Sequence, residues 1–124
     1  MPKSELSAAE WEIMDVIWRA AGQVNVREVL TTAYPQGEKA YTTVQTLMNI
    51  LVDKDYLDCN RGERINRYTP LVPRDVAING SISGLAQRLF HGSVGAMASF
   101  LVGSAKLKPH ELADLRSLLD NQDD

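Results

Sequence analysis

Ala40-Tyr41-Thr42-Thr43-Val44-Gln45-Thr46-Leu47-Met48-Asn49-Ile50-Leu51 holds the pattern from which the rest of the chain is read. Val44, Leu47, Met48 and Leu51 recur at helical spacing and form one apolar stripe, so the segment reads as a helix docked on a core. The opposite face carries Thr42, Thr43, Gln45, Thr46 and Asn49. These side chains are short, uncharged and able both to donate and to accept hydrogen bonds. A face that only has to be wet takes Lys and Glu, which favour helix; threonine, branched at Cβ, does not. A polar, nearly uncharged face suits a surface that itself presents hydrogen-bonding edges, as the major groove of DNA does. The alternative is a surface helix of unusual composition.

Upstream, Ser7-Ala8-Ala9-Glu10 is a capping box, and Trp11, Met14 and Trp18 with Ile13 and Ile17 give a broad apolar helix face to about residue 20. The tryptophans read as core anchors, and Gly22 as the stop. Gln23-Val24 fits a single short strand. Asn25 with Glu28 starts a second helix whose apolar positions are Val26, Val29, Leu30 and Ala33. Tyr34-Pro35-Gln36-Gly37 is a turn. Helix, short helix, turn, helix is the order of a helix-turn-helix, with residues 41–54 as its recognition helix.

Downstream, the period changes. Leu57-Asp58-Cys59-Asn60 and Ile65-Asn66-Arg67-Tyr68-Thr69 read as two strands around Arg61-Gly62-Glu63-Arg64, with Leu57 and Cys59 on one side and Tyr68 facing inward. Over residues 59–70, three arginines against one glutamate give a local charge of +2. A basic hairpin directly after a recognition helix is a wing, and Arg61, Arg64 and Arg67 can reach phosphates or a minor groove.

Pro70 and Pro73 mark a boundary, dividing the chain into residues 1–72 and 73–124. In the second part Ile78, Ile82, Leu85 and Leu89 lie on one stripe beside Ala86 and Phe90, while Val94, Met97, Ala98 and Leu101 form a second. Pro109 opens a last helix with Leu112, Leu115, Leu118 and Leu119. Three short amphipathic helices have too little area to close a core alone and are expected to interlock with a second copy. Leu85, Leu89, Leu101, Leu112, Leu115 and Leu119 are the expected dimer contacts. The fold class is therefore mainly α with a small β-hairpin: a winged helix-turn-helix followed by a three-helix dimerisation region.

The totals agree. With 124 residues the chain has room for one domain plus an oligomerisation element. Its net charge of −3 argues against a non-specific nucleic-acid coat, but not against a binder whose positive charge is local. The first helix carries Glu10, Glu12 and Asp15 against Arg19, so charge is segregated along the chain. No run approaches the roughly 20 apolar residues of a membrane span, and the N-terminus lacks a secretory h-region. The single cysteine fits a reducing cytoplasm. No catalytic constellation is visible. His91 and His110 have no cysteine or carboxylate at a ligand spacing, Cys59 reads as an apolar filler of the wing, and no glycine-rich phosphate loop occurs. No enzyme activity, metal or cofactor is expected.

Ser7-Ala8-Ala9-Glu10-Trp11-Glu12-Ile13-Met14-Asp15-Val16-Ile17-Trp18, Thr43-Val44-Gln45-Thr46-Leu47, Arg67-Tyr68-Thr69-Pro70 and Lys108-Pro109-His110-Glu111-Leu112-Ala113-Asp114-Leu115-Arg116 resemble the corresponding blocks of the penicillinase-repressor family (BlaI/MecI/CopY type). The resemblance implies a bacterial homodimeric repressor on double-stranded DNA with a palindromic operator. It also implies derepression by a membrane sensor-protease that cuts the C-terminal region. The lactam-responsive members are cut between Asn and Phe; the matching positions are Ser99 and Phe100, so the Asn is absent. The C-terminal cysteine cluster of the copper-responsive branch is absent too. In the expected arrangement Thr43, Gln45, Thr46 and Asn49 read bases, while Lys39, Tyr41, Thr42 and the wing arginines grip backbone. The competing expectation is a winged-helix module for protein–protein contact, which the acidic total favours.

Overall fold

The computed structural model describes residues 5–62, 64–104 and 107–121, with side chains described as far as residue 117. Glu63 and the side chain of Leu119 lie outside the described residues. The elements run α1 (Ala8–Arg19), α2 (Val26–Ala33), α3 (Tyr41–Asp53), β1 (Leu57–Arg61), β2 (Asn66–Pro70), α4 (Arg74–Phe90), α5 (Val94–Gly103) and α6 (Pro109–Asn121). Two compact units divide inside α4, Met1–Asn79 and Gly80–Asp124. The division falls later than the prolines because Val72 and Ala77 are buried in the first unit's core.

Both expected capping boxes form. The Glu10 N–H donates to Ser7 Oγ at 3.2 Å and the Ser7 N–H to Glu10 Oε1 at 2.8 Å. Asn25 and Glu28 repeat the exchange at 2.8 and 2.9 Å. Each satisfies N–H groups that a helix start leaves without partners, and so fixes where α1 and α2 begin. The core then assembles from the apolar stripes: Ile13, Met14 and Ile17 of α1, Val29 of α2, and Val44, Met48 and Leu51 of α3 are all fully buried. Trp11 and Trp18 pack against this core with ring centroids 5.9 Å apart, and the Trp18 indole N–H donates to the Val72 carbonyl at 2.9 Å.

The end of α3 sets the direction of the hairpin. Asp55 takes the left-handed region (φ 68°), which aspartate tolerates better than most residues. The Tyr56 N–H then donates to the Leu51 carbonyl at 3.0 Å and the Asp55 N–H to Val52 at 3.0 Å. This αL cap satisfies the last carbonyls and returns Tyr56 and Leu57 to the core. β1 and β2 pair antiparallel, from Leu57 opposite Pro70 to Arg61 opposite Asn66. Val24 adds an isolated bridge to Tyr68 through reciprocal backbone bonds of 3.0 and 2.7 Å, the short strand expected at Gln23-Val24. At the hairpin turn a Cβ on Gly62 would lie 2.5 Å from the Ile65 carbonyl oxygen, so only glycine fits without moving backbone.

In the second unit α4 ends with His91 at φ 53°, and the Gly92 N–H reaches back to the Ala86 carbonyl at 3.0 Å. Ser93 caps α5, accepting the Ala96 N–H at 2.9 Å. Pro109 opens α6, where the Lys108 N–H donates to Glu111 Oε1 at 2.9 Å. The Phe90 and Phe100 rings lie 5.7 Å apart. Ile82, Leu85, Leu89, Phe100, Leu101 and Val102 remain exposed.

A buried ion pair, not legible in the sequence, ties the start of α1 to the end of α3. Lys54 Nζ lies 2.6 Å from Glu10 Oε1 and also donates to the Glu5 carbonyl at 3.1 Å. Burial alone would raise the Glu10 carboxyl. Lys54 and the Ser7 N–H outweigh it and hold the carboxyl below its ordinary value of 4.5. The pair's contribution is therefore present above that pH and lost as the pH falls below it. Replacing Lys54 by Met should cost about 2–3 kcal/mol at neutral pH, because Glu10 would be left charged and unpaired. The difference from wild type should shrink as the pH falls below that value, as read by denaturant midpoints against pH. Gly62→Ala should distort the hairpin turn at about 1–2 kcal/mol. Faster hydrogen exchange at Asn60 and Arg67, with α1–α3 protection unchanged, is the expected signature.

Candidate nucleic-acid interface

The face opposite the core stripe of α3 stands in solvent. Thr42, Thr43, Thr46 and Asn49 are exposed, and Gln45 is half-buried at the edge of the same face. The helix begins at Ala40, which supplies no side-chain cap. The N-terminal end of this face is flanked by positive charge held in place by aromatic rings. The Arg27 guanidinium of α2 lies 5.1 Å over the Tyr41 ring, and Lys39 Nζ lies 5.2 Å from the Tyr34 ring centroid. Such contacts restrain long cationic side chains while leaving their charge available. Tyr34 is itself fixed: its hydroxyl donates to Glu12 Oε1 at 3.1 Å. Burial, then the Glu12 carboxylate, push its phenol up to about 12, so the ring stays neutral. Arg27 was not among the residues expected from sequence. An arginine in the first turn of α2 carries no sequence signal until the packing of α2 on α3 is known.

The wing stands beside this face. Arg61, Arg64 and Arg67 are all exposed, as are Ile65 and Asn66 between them. Gln45 and Tyr41 of α3 meet Arg64, Ile65 and Asn66 of the hairpin around an open cleft of about 170 Å3. The recognition face and the wing therefore form one continuous concave surface, polar at its floor and basic at its rim. The contact is braced by Tyr68, which is 1% exposed and whose hydroxyl donates to Asn49 Oδ1 at 3.1 Å. The carbonyl end of Asn49 is thus already engaged within the protein.

Glu38 is beside Lys39 and acts on Tyr34, but the carboxylates of α1 lie elsewhere. Glu12 and Asp15 of α1 line a separate shallow groove with Arg19 and Thr32, where Asp15 pairs with Arg19 at 3.1 Å. The chain's net charge of −3 thus coexists with a surface rimmed by five cations, Arg27, Lys39, Arg61, Arg64 and Arg67. This face would offer counter-charges to a polyanion that the α1 face would not. Among the described residues no group of three His, Cys, Asp or Glu side chains is placed to hold a metal ion, and no helix is long and apolar enough to cross a membrane.

Of the leucines expected at a dimer contact, Leu85, Leu89 and Leu101 are exposed while Leu112 and Leu115 are half-buried. Ser99 and Phe100 are exposed, but both sit within α5, so the bond between them is held in helix. A protease that binds its substrate extended would have to unwind that helix first.

Comparison with known proteins agrees with this geometry. The penicillinase repressor of Bacillus licheniformis is 25% identical over 116 residues, spanning 94% of this chain and 90% of the relative. The solution structure of the DNA-binding domain of the repressor BlaI matches with a TM-score of 0.52 and 29% identity, over 58% of this chain and 87% of that one. The B. licheniformis BlaI monomeric form, solved in complex with the blaP half-operator, matches with a TM-score of 0.50 and 29% identity, over 59% and 88%. The model of the penicillinase repressor family matches residues 6–121, and the chain belongs to that family.

Proposed function

We propose that this chain is a sequence-specific DNA-binding transcriptional repressor, not an enzyme, that acts as a homodimer on a palindromic operator. The observation that carries this reading is the exposed, uncharged face of α3 set beside a basic wing. Family membership supports the repressor role, and the solved complex of BlaI with its half-operator supports DNA as the partner. Thr43, Gln45, Thr46 and Asn49 would face base edges, where hydrogen bonds discriminate sequence. Tyr41, Thr42, Lys39 and the three wing arginines would hold phosphates, which fix register and carry the salt dependence. Arg27 joins that second group. In this reading the chain works in the cytoplasm.

Pairing is part of the same reading. One small module makes too few contacts for operator-level affinity, whereas two reading successive major grooves about 34 Å apart add theirs. The exposed Leu85, Leu89 and Leu101, with Leu112, Leu115 and Leu119 of α6, are the surface proposed for a second copy. Leu89 is 63% exposed, a cost that a partner's apolar face would remove. Cleavage by a membrane sensor-protease at Ser99–Phe100 would detach the end of α5 and all of α6, and with them four of the six leucines of that surface. In this way it would weaken operator binding without touching α3.

Two sets of variants test these roles. Gel-shift titrations should show that Gln45→Ala loses discrimination between operator and unrelated DNA. Arg67→Ala should bind all sequences more weakly, with the log–log salt slope smaller by about one. Unchanged behaviour in both would refute the assignment of faces. Leu89→Asp should leave the fold's stability within about 0.5 kcal/mol, since the site is exposed in one copy. It should nonetheless shift sedimentation to monomer and weaken operator binding at least tenfold; a dimer that persists would contradict this use of the leucines.

A further inference from the structure

Asn49 stands exposed on the outward face of α3, yet its amide is not free to turn. Its Oδ1 accepts the hydroxyl hydrogen of Tyr68 at 3.1 Å. Tyr68 is fixed in its turn. It is 1% exposed, it pairs with Cys59 across the hairpin, and its backbone exchanges bonds of 3.0 and 2.7 Å with Val24. Three elements thus hold the phenol, and the phenol holds the amide. Burial keeps the phenol above its ordinary range, so it stays protonated and acts as a donor. A donor at that position takes the carbonyl end of the amide and leaves the amino end for whatever lies beyond.

We infer that Tyr68 is a positioning residue for sequence recognition, orienting Asn49 so that it offers hydrogen-bond donors to the DNA groove. The inference rests on the proposed base-reading role of α3. Its consequence is a base preference. A free asparagine amide pairs with adenine in two-pronged fashion, accepting from N6 and donating to N7. The amide oxygen has two lone pairs, so with one held by Tyr68 the first prong is weakened and not lost. Guanine, with acceptors at O6 and N7, and thymine, with O4, then suit Asn49 better than adenine. Tyr68 never touches DNA in this arrangement; it acts through Asn49, which sequence alone would assign to adenine.

Selection from a pool of randomised DNA duplexes with the full chain tests this, with wild type, Asn49→Ala and Tyr68→Phe compared. Wild type should recover a motif in which one position of each half-site favours guanine or thymine over adenine. Asn49→Ala should lose preference at that position alone. Tyr68→Phe, which keeps the ring and removes only the hydroxyl, should admit adenine there and leave the other positions unchanged. A Tyr68→Phe motif identical to wild type would overturn the inference. So would an even loss of affinity at every position, which marks a merely structural tyrosine. No motif from wild type would defeat the base-reading role of α3 itself, a failure distinct from the other two. Should Tyr68→Phe not fold, 15N relaxation of the Asn49 side-chain amide in wild type still decides. A restrained amide is required, and one as mobile as that of an unanchored surface asparagine would sink the proposal.

Discussion

The side chain and backbone of Tyr68 form the joint between the hairpin and the polar face of α3, on which the proposed DNA-binding surface depends. Its backbone closes the bridge to Val24, its ring fills the space under the hairpin, and its hydroxyl reaches α3 at Asn49. A two-stranded hairpin is marginal by itself and needs a third strand or a packed face to hold. Val24 supplies the one and the core the other, with Tyr68 common to both. The hairpin therefore leaves the body of the domain at a fixed angle, and its arginines stay beside the polar face of α3. Tyr56 and Leu57 serve the same end from the other strand, brought inward by the αL turn at Asp55.

The distribution of charge follows from the same arrangement. An acidic total is a poor guide when cations sit on one face and carboxylates on another. Glu10 is removed from the surface altogether by Lys54, and Asp15 is answered by Arg19. The cations near α3 are restrained by rings, not by carboxylates, at Arg27 and Lys39. With arginines gathered on the hairpin beside them, a protein of net charge −3 can still hold a polyanion.

Much of this was legible in the sequence because it follows from local rules. The capping boxes at Ser7 and Asn25, the stripe of Val44, Met48 and Leu51, the hairpin around Gly62 and the inward Tyr68 each have a fixed spacing to read. What was not legible depends on residues far apart in the chain. The Glu10–Lys54 pair, the Trp18 bond to Val72, the seat of Arg27 on Tyr41 and the engagement of Asn49 arise only once α1, α2 and α3 have packed. The division inside α4 belongs here too. Prolines mark where a helix can start, whereas a unit ends where burial ends, and Ala77 is still buried.

The DNA-facing assignment can be tested most directly by backbone amide shift mapping of the full chain on titration with a duplex recovered from a randomised pool. Changes concentrated on Tyr41 to Asn49 and on Arg61 to Arg67, with Glu12 and Asp15 of α1 unaffected, are expected. Changes centred on α1, or spread evenly with no duplex preferred, would contradict the reading of α3 and the hairpin as one binding surface.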